Sequence, residues 1–288
     1  MKKKKVLMTG ATGYVADQML PTFRDRYEML LTDISTKNRR GEDVESITVT
    51  DLIDPDRTGY AELFEGVDAV VHLAYKRRGR DLLDDFLDEK ANVEMAYNVL
   101  RSAYDAGVPR VVFASSNHAA DWYERELIHE RKIETLDPYA PALSDNFYGW
   151  AKATYEHMGF LFASGSLGRK LEVVMVRIGS PTEVDADRLG SNPRGFKRNL
   201  GAYISPRDLT QLFVRSIEAP DIENEHGIPW QVVYGISNNT RAFWSLVSAR
   251  NVLGYEPEDD SEVKFASDIR RLLTGGDTAS GPGRVGIP

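Results

Sequence analysis

The chain of 288 residues contains no cysteine, so it has neither disulfide bonds nor thiolate chemistry. It also has no apolar stretch that approaches the roughly 20 residues of a membrane-spanning helix. The lysine-rich start is followed by an apolar run, Val6–Met8, that is too short for the core of a secretory signal. These absences predict a soluble protein of the cytoplasm.

Basic charge is scarce as well. The chain carries 36 lysines and arginines against 44 aspartates and glutamates, a formal net charge of −8. Proteins that bind nucleic acids or membrane surfaces generally use a basic field to attract phosphate groups. We therefore expect no nucleic-acid partner and no membrane partner, and we treat each local cluster of basic residues as a candidate binding site.

Patterns typical of metal sites and of hydrolases are missing. The five histidines, at positions 72, 118, 129, 157 and 226, show no ligand spacing such as H-E-x-x-H. Neither Ser115 nor Ser116 lies in the G-x-S-x-G turn that carries the nucleophile in many hydrolases. The sequence therefore predicts no metal site and disfavours a hydrolase.

What the sequence does contain is an alternation of short apolar runs and longer amphipathic segments. The predicted strands are 5–10, 28–33, 46–51, 68–74, 110–116 and 171–180. The predicted helices are 13–25, 58–65, 85–106 and 144–164. This alternation is typical of an α/β fold with a doubly wound parallel sheet of the Rossmann type. The ligand crevice of such a fold lies beyond the carboxyl ends of the strands.

A glycine-rich turn, in VLMTGATGYVA, follows the first predicted strand. Gly10 and Gly13 allow a tight turn that brings backbone N–H groups close to a pyrophosphate, and Ala16 can pack the helix that follows. Asp33 ends the second strand about 20 residues later, where an acid binds the ribose hydroxyls. Each feature alone also fits an ordinary turn or a helix cap. Their order predicts a dinucleotide site. Asp33 predicts NAD rather than NADP, because its carboxylate would repel a 2′-phosphate and the arginines that could offset this charge, Arg39 and Arg40, lie several residues further along the chain.

The pattern changes after residue 180. Residues 181–206 are rich in Gly, Pro, Asn and charge, and they are predicted to form a long loop. A predicted helix and a predicted strand follow. We therefore expect an NAD-binding domain at 1–180, a small substrate-binding lobe with interleaved sheet elements at 181–274, and a flexible tail at 275–288.

Tyr148 and Lys152 stand four residues apart in NFYGWAK, so that both lie on one face of a predicted helix. A tyrosine hydroxyl has a pKa near 10, and a neighbouring ammonium lowers that pKa because it stabilises the phenolate. Of the 13 tyrosines, only Tyr148 has a lysine at this spacing. The pair indicates a base that removes a proton from an alcohol, although an exposed surface pair has the same spacing.

Four polar residues follow one another at the end of the fifth predicted strand, in VVFASSNHAA. Ser115, Ser116, Asn117 and His118 can all form hydrogen bonds. Many strands end in polar loops, so this pattern alone does not specify a site. In a parallel sheet, however, the same position is the edge where ligands bind. We expect these side chains to converge on a substrate.

Together, these motifs resemble the extended short-chain dehydrogenase/reductases, also called the NAD-dependent epimerase/dehydratase family. The shared features are TGATGYVA, Asp33, HLA after the fourth strand, Asn92 on the next helix, the serine pair, and Tyr148 with Lys152. The phrases FASSNH, YGWAK, VRIGS and YGISNNTRAFW look most like uronate dehydrogenases, which oxidise a free uronic acid at its anomeric carbon. The resemblance spans residues 5 to about 265.

The resemblance implies roles for the matching residues, with Ser116, Tyr148 and Lys152 as the catalytic group and Tyr148 as its base. The predicted NAD-binding residues are Gly10, Thr12, Gly13, Tyr14, Val15, Asp33, Ile34, Asp51, Leu52, Leu73, Ala74, Tyr75, Asn92, Ser115, Tyr148, Lys152 and Ile178. The predicted substrate-binding residues are Arg77, Ser116, Asn117, His118, Ser180 and Arg198.

The resemblance also implies that Arg198 binds a substrate carboxylate. A basic run just after the HLA motif, together with Arg194 and Arg198, is expected to attract an anionic sugar. The basic residues of the run are Lys76, Arg77, Arg78 and Arg80. A solvated loop would also explain the run, because four adjacent charges do not all point inward.

The function implied by the resemblance is NAD-dependent oxidation of a hexuronate, such as galacturonate or glucuronate, to an aldarolactone. The protein is expected to form a homo-oligomer. Two alternatives remain. A nucleotide-sugar epimerase or dehydratase would use the same Tyr148 and Lys152 with tightly bound NAD, and a non-catalytic NAD-sensing protein would retain the fold alone.

Overall fold

The computed structural model describes residues 2–77, 79, 83–189 and 192–273. Its centre is one sheet of seven parallel strands in the order β3-β2-β1-β4-β5-β6-β7. The strands are β1 (Lys5–Thr9), β2 (Glu28–Asp33), β3 (Ile47–Val49), β4 (Ala69–His72), β5 (Arg110–Ser116), β6 (Glu172–Ile178) and β7 (Trp230–Gly235). The predicted doubly wound parallel sheet is confirmed. The strand order reverses between β1 and β4, which is the place where such folds bind ligands.

The helices connect the strands and flank the sheet. They are α1 (Tyr14–Arg26), α2 (Asp85–Asp105), α3 (Asp121–Tyr123), α4 (Phe147–Ala163), α5 (Ala186–Leu189), α6 (Pro193–Ala202), α7 (Pro206–Glu218), α8 (Ser261–Lys264) and α9 (Ala266–Leu273). Short 3₁₀ segments occur at Arg57–Gly59, Ala61–Phe64 and Asn117–Ala120. Single π-helical turns occur at Glu124–Ile128 and Ala249–Leu253.

Strands β1, β4, β5, β6 and β7 are buried on both faces, as their continuous apolar runs predict. The same prediction is wrong for β3 at the edge of the sheet, which is mostly exposed, and β2 beside it is only partly buried. Val6 and Met8 of β1 belong to the apolar cluster that includes residues of α1 and α7. Leu7, which lies between them, belongs to the second cluster, with residues of α2 and α4. Successive side chains of a strand point to opposite faces, so these two clusters are the two layers that sandwich the sheet.

Two predicted elements differ from the structure. The segment 58–65 forms two 3₁₀ turns instead of a helix. The segment 181–206 contains α5 and α6, so the predicted long loop is wrong there. The side chain of Asn192 accepts a hydrogen bond from the first turn of α6 at 2.9 Å, and the fully buried Phe196 and Leu200 anchor the helix. The polar composition reflects the exposed face and cap of a short amphipathic helix.

The C-terminal part of the chain contributes to the main sheet as well as to a separate cluster. β7 pairs in parallel with β6 along its whole length. Phe196, Leu200, Tyr203 and Phe265 form a third apolar cluster outside the two sheet layers. This cluster is consistent with a small lobe, although the boundary at residue 180 stays a prediction. The predicted flexible tail at 275–288 lies outside the described residues.

Several large apolar side chains of α2 and α4 are exposed. Phe86 and Tyr97 on α2 and Trp150, Phe160 and Leu161 on α4 are each about two fifths to one half exposed. The rings of Phe86 and Trp150 lie 5.6 Å apart, between their centroids. The two helices therefore present an apolar surface to solvent.

A buried ion pair joins α4 to the sheet. The Arg177 guanidinium of β6 donates to both carboxylate oxygens of Glu156 on α4, at 2.8 and 2.7 Å, and both side chains are almost fully buried. Ser115 of β5 donates to the same carboxylate at 2.8 Å, and Arg177 also donates to the hydroxyl of Tyr234 at 3.0 Å. Burial disfavours the charge on Arg177, but Glu156 outweighs it and raises the pKa of the guanidinium.

We expect Glu156→Gln to lower the free energy of unfolding by about 3–5 kcal/mol, because it leaves a buried guanidinium without its counter-charge. Urea denaturation measures this change. Glu94→Gln is the matched control, since Glu94 forms an exposed pair with Lys90 at 3.4 Å and its loss should cost at most about 0.5 kcal/mol. Equal, small effects of both substitutions would contradict a structural role for the buried pair.

Candidate active site

A cleft of about 1060 Å³ opens at the carboxyl ends of the central strands. It contains almost every residue that the sequence predicted to contact NAD; only Asn92 lies outside its lining. The predicted NAD-binding residues that line it are Gly10, Thr12, Gly13, Tyr14, Val15, Asp33, Ile34, Asp51, Leu52, Leu73, Ala74, Tyr75, Ser115, Tyr148, Lys152 and Ile178. Arg77 and Ser116, from the predicted substrate group, line it as well.

The glycine turn has the geometry that a bound pyrophosphate needs. Gly10 has a φ of 68°, and a Cβ at this position would lie 2.5 Å from the backbone nitrogen of Ala74. Gly13 donates to the carbonyl of Gly10 at 3.0 Å and precedes α1, whose start has no side-chain cap. The N-terminal N–H groups of α1 therefore face the cleft without a side chain in front of them, and this arrangement fits a dinucleotide phosphate.

Asp33 supports the same turn from the end of β2. One of its carboxylate oxygens accepts hydrogen bonds from the backbone N–H and the hydroxyl of Thr12, at 2.9 and 2.7 Å, and the other accepts from Ile34 N–H at 2.7 Å. The negative charge thus lies at the cleft wall, as the sequence predicted. Lys37, Asn38 and Arg39 also line the cleft, so Arg39, which the sequence placed several residues beyond Asp33, belongs to the same cleft wall.

Tyr148 and Lys152 lie on one face of α4, at the opposite end of the cleft from Asp33. The ammonium of Lys152 is 5.6 Å from the ring centre of Tyr148 and donates to the carbonyl of Ala114 at 3.0 Å. Lys152 is almost fully buried. Burial lowers the pKa of Lys152 to about 8, against the opposing effect of the carboxylates of Glu89 and Glu156.

The polar residues at the end of β5 divide into two groups. Ser115 donates its hydroxyl to Glu156 and so belongs to the buried ion-pair network. Ser116 accepts a hydrogen bond from the N–H of His118 at 3.2 Å and lines the cleft beside Tyr148. Of the two serines, therefore, Ser116 is the one whose hydroxyl is not used by the core.

Asn92 lies outside the cleft lining, and its predicted contact with NAD stays a prediction. It is fully buried on α2, where its side-chain oxygen accepts from the N–H of Lys76 at 2.8 Å and its amide nitrogen donates to the carbonyl of Lys76 at 2.9 Å. Both bonds hold the backbone that follows β4. Asn92 therefore fixes the wall formed by Tyr75 and Arg77 and does not itself line the cleft.

His118 packs against the predicted base. Its ring centre lies 5.6 Å from that of Tyr148, and its Nδ1 is 2.6 Å from a carboxylate oxygen of Asp121. The same oxygen accepts from the amide of Asn146, the N-cap residue of α4, at 2.9 Å. Sequence reasoning missed Asp121 and Asn146. The spacing of His118 and Asp121, three residues apart at the start of a helical segment, was the available signal.

Close packing brings α4 against this segment. A Cβ on Gly149 would lie 2.0 Å from the carbonyl oxygen of His118, so no larger residue fits at this crossing. The close approach of α4 to the His118 backbone therefore requires glycine at position 149. It lets the helix that carries the tyrosine approach the backbone that follows Ser116.

The remaining predicted substrate residues lie just outside the cleft lining. With its amide oriented to satisfy its neighbours, Asn117 donates to the carbonyl of Ile178 at 3.0 Å and accepts from Arg198 Nη2 at 2.5 Å. Arg198 also donates to the carboxylate of Glu124 through Nε at 2.8 Å and Nη2 at 3.2 Å. Ser180 is half-buried beside the cleft, with its hydroxyl 3.2 Å from that of Thr182.

The basic run is only partly described. Lys76 lines the cleft and pairs with Asp88 at 3.3 Å, and Arg77 lines the cleft. Arg78 and Arg80 lie outside the described residues. The other basic residue of the prediction, Arg194, is exposed and 3.8 Å from a carboxylate oxygen of Glu130. Of the basic residues in this prediction that the structure describes, Lys76 and Arg77 line the cleft, whereas Arg194 and Arg198 do not.

His72 ends β4 beneath the cleft. Its Nδ1 lies 2.7 Å from the hydroxyl of Thr9. Burial, together with the charge of Lys152, lowers the pKa of His72 to about 3, so the ring is neutral at physiological pH. Within the described ranges, no group of three His, Cys, Asp or Glu residues could hold a metal ion, and no helix has the length and apolarity to cross a membrane.

Relatives of known activity match nearly the whole chain. An NAD-dependent glucose-6-phosphate dehydrogenase of Haloferax volcanii is 32% identical over 89% of this chain and 94% of its own length. A uronate dehydrogenase of Pseudomonas syringae pv. tomato is 31% identical over 90% of this chain and 83% of its own length. The chain is therefore similar to dehydrogenases with different named substrates.

Solved structures agree with this similarity. The crystal structure of uronate dehydrogenase from Agrobacterium tumefaciens aligns with 98% of this chain and 92% of its own, at 28% identity and a TM-score of 0.69. A mutated uronate dehydrogenase aligns with a TM-score of 0.72 at 28% identity, over 96% of this chain and 88% of its own. A family model, NAD dependent epimerase/dehydratase family, matches residues 6–179. The chain belongs to this NAD dependent epimerase/dehydratase family, and its cofactor is NAD.

Proposed function

We propose that the protein is a dehydrogenase that oxidises the anomeric carbon of a free monosaccharide, an aldose or a hexuronate, to the lactone and reduces NAD. The observation that carries the proposal is the placement of Ser116, Tyr148 and Lys152 together at one end of the dinucleotide cleft. The relatives support it, since they are named for a sugar phosphate, a uronate and L-arabinose.

The chemistry requires one proton acceptor and one hydride acceptor. Tyr148 takes the proton of the anomeric hydroxyl as its phenolate, and the buried ammonium of Lys152 stabilises that phenolate. Ser116 donates a hydrogen bond to the same hydroxyl and so holds it beside Tyr148. NAD, held by the glycine turn and Asp33, would supply the hydride acceptor, and loss of hydride and proton would leave the anomeric carbon as the carbonyl of the lactone.

The positions of Lys152 and Ser116 suit the proposal because each of these two side chains is fixed by a separate contact. The carbonyl of Ala114 holds the ammonium of Lys152, and the backbone of His118 holds the hydroxyl of Ser116. Preorganised groups of this kind lower the barrier because little rearrangement is needed when the substrate binds. The assignments of the three residues stay part of the proposal.

The expected self-association stays a prediction. The exposed apolar side chains of α2 and α4 support it, because a second copy could bury them. The proposal that residues 181–274 serve as the substrate lobe is supported by Arg198, which this part of the chain contributes beside Asn117.

We expect the purified protein to form NADH from NAD and a free sugar. The measurement is NADH absorbance with a panel of D-glucose, D-galactose, L-arabinose, D-glucuronate, D-galacturonate and glucose 6-phosphate, with UDP-glucose and UDP-galactose as comparisons. Interconversion of the two UDP-sugars without net NADH, and no reaction with the free sugars, would favour an epimerase. NAD binding without turnover of either class would favour a sensor.

Tyr148→Phe should lower kcat by about 10²–10⁴-fold, the usual contribution of a general base, while NAD affinity and thermal stability stay near those of the wild type. Steady-state kinetics and NAD titration measure the two effects. Tyr97→Phe is the matched control, since Tyr97 lies on the exposed side of α2 and outside the cleft lining, and it should leave kcat unchanged. Near wild-type turnover of Tyr148→Phe would show that another group is the base.

The wild type should use NAD with a higher kcat/KM than NADP, because the carboxylate of Asp33 would lie near the 2′-phosphate. Like charges about 4 Å apart near a protein surface repel by several kcal/mol, so Asp33→Asn should raise the NADP to NAD ratio by roughly tenfold or more. Asparagine keeps an oxygen that can accept from Thr12. Equal kcat/KM of the wild type with NAD and NADP would show that Asp33 does not discriminate against NADP.

A further inference from the structure

Glu124 and Arg198 form an ion pair beside the substrate end of the cleft. Both carboxylate oxygens of Glu124 accept from Arg198, at 2.8 and 3.2 Å. Only 19% of the Arg198 side chain and 11% of the Glu124 side chain are exposed. A pair so poorly solvated is weakly screened, so the positive charge of Arg198 is largely cancelled where it stands.

The ion pair contacts Asn117, which is the neighbour of Ser116 in the proposed reaction centre. Asn117, directly after Ser116, accepts a hydrogen bond from Arg198 Nη2 at 2.5 Å and donates to the carbonyl of Ile178 at 3.0 Å. Ser116 and Ile178 both line the cleft. The part of a sugar that extends from Ser116 toward Ile178 would therefore lie next to a buried amide that is bonded to a neutralised guanidinium.

Neighbouring groups fix both partners of the pair. The guanidinium of Arg198 lies 5.5 Å from the ring centre of Trp244, and the carboxylate of Glu124 also lies 3.1 Å from Nε2 of His129. Glu124 opens the π-helical turn Glu124–Ile128, and its carbonyl accepts from His129 N–H at 3.0 Å. Arg198 therefore cannot turn toward a ligand without giving up contacts with both a ring and a carboxylate.

A substrate carboxylate at this place would face a resident carboxylate. It would have to displace Glu124 from Arg198, and Glu124 would then be left poorly solvated beside a second negative charge. A hydroxyl group at this end of the cleft has no such conflict, since it carries no charge and leaves the ion pair intact. The ion pair thus discriminates against an acidic substrate in two ways: Glu124 repels its negative charge, and binding it would deprive Glu124 of Arg198.

We infer that Glu124 is a specificity-determining residue, which neutralises Arg198 and selects a neutral aldose over a hexuronate or another sugar with a negative charge at C6. This inference rests on the proposed oxidation of a free monosaccharide. It narrows the substrate to a sugar whose far end carries hydroxyl groups. Glu124 acts on the substrate through Arg198 and Asn117 and is outside the cleft lining.

The experiment compares kcat and KM for D-glucose, D-galactose and L-arabinose with those for D-glucuronate, D-galacturonate and glucose 6-phosphate. In the wild type, we expect the best neutral sugar to exceed every charged one in kcat/KM by about tenfold or more, the effect of roughly one charged hydrogen bond. Glu124→Gln keeps the shape of the side chain and frees the charge of Arg198. It should raise kcat/KM for the uronates by about tenfold, mainly through a lower KM, and change the neutral sugars only a few-fold.

Two further variants separate charge from structure. Glu126 lies in the same π-helical turn as Glu124 but pairs with Arg125 at the surface, at 2.9 Å. Glu126→Gln should therefore not change the preference for neutral over charged sugars. The double variant Glu124→Gln with Arg198→Gln should lose the gain on uronates, because no unbalanced cation remains. If kcat/KM for the uronates rises in Glu124→Gln but not in the double variant, the rise is due to the freed guanidinium of Arg198.

A wild-type preference for a uronate or for glucose 6-phosphate over the neutral sugars would overturn the inference, and this result does not depend on whether any variant folds. A Glu124→Gln variant that is folded but gains nothing on uronates would also overturn it. In both cases, sugar oxidation itself is intact. Absence of NADH formation with all free sugars would instead show that the proposed function is wrong, and the inference with it.

Discussion

The carboxylate of Glu156 is the constraint on which the geometry of the site depends. It is buried between α4 and the sheet, where it accepts hydrogen bonds from Arg177 of β6 and Ser115 of β5. Tyr148, Lys152 and Glu156 follow one another at intervals of four residues, so they share one face of α4. Fixing Glu156 against two strands therefore fixes the register of the tyrosine and the lysine over the ends of those strands. Proton transfer depends on such placement to within fractions of an ångström.

Lys152 shows how the same packing controls electrostatics. An ammonium that is almost fully buried loses its hydration, which by itself favours the neutral amine and lowers the pKa. The carboxylates of Glu89 and Glu156 oppose this effect, and the carbonyl of Ala114 accepts one of the ammonium hydrogens. The charge is thus retained in a region where water screens it poorly. A cation in such surroundings stabilises a neighbouring phenolate more than an exposed lysine would.

The parts of the site that could be predicted from the sequence are those with short, regular spacing. Gly10 and Gly13 in one turn, and Tyr148 with Lys152 on one helix, are local patterns whose geometry follows from the turn or the helical repeat. The bond between Asn92 and the backbone of Lys76 is different, because it depends on how α2 packs beside the end of β4. No spacing within α2 indicates which of its polar side chains turns inward.

The Glu124–Arg198 pair is also long-range, since 74 residues separate its partners along the chain. Part of the reason it escaped prediction is that residues 181–206 looked like a loop, and a loop gives no expectation of where an arginine points. The helix α6 depends on tertiary contacts, because its side chains Phe196 and Leu200 are buried against the rest of the chain. The family resemblance predicts Arg198 as a substrate-binding residue, and this stays a prediction, whereas its charge environment depends on tertiary packing.

Because packing decides which basic side chains are neutralised, a cluster of basic residues in the sequence is weak evidence for an anionic substrate. The chain has 44 acidic residues against 36 basic ones, so a carboxylate is available for most cations, and the structure pairs Lys76 with Asp88, Arg194 with Glu130 and Arg198 with Glu124. These pairs are not equivalent. Arg194 is 61% exposed, and water screens its charge whether or not Glu130 is near, whereas the Arg198 pair is mostly withdrawn from water. In the proposed function, the charge near a bound sugar is therefore set more by the desolvated Glu124–Arg198 pair behind the cleft than by the number of basic residues in the sequence.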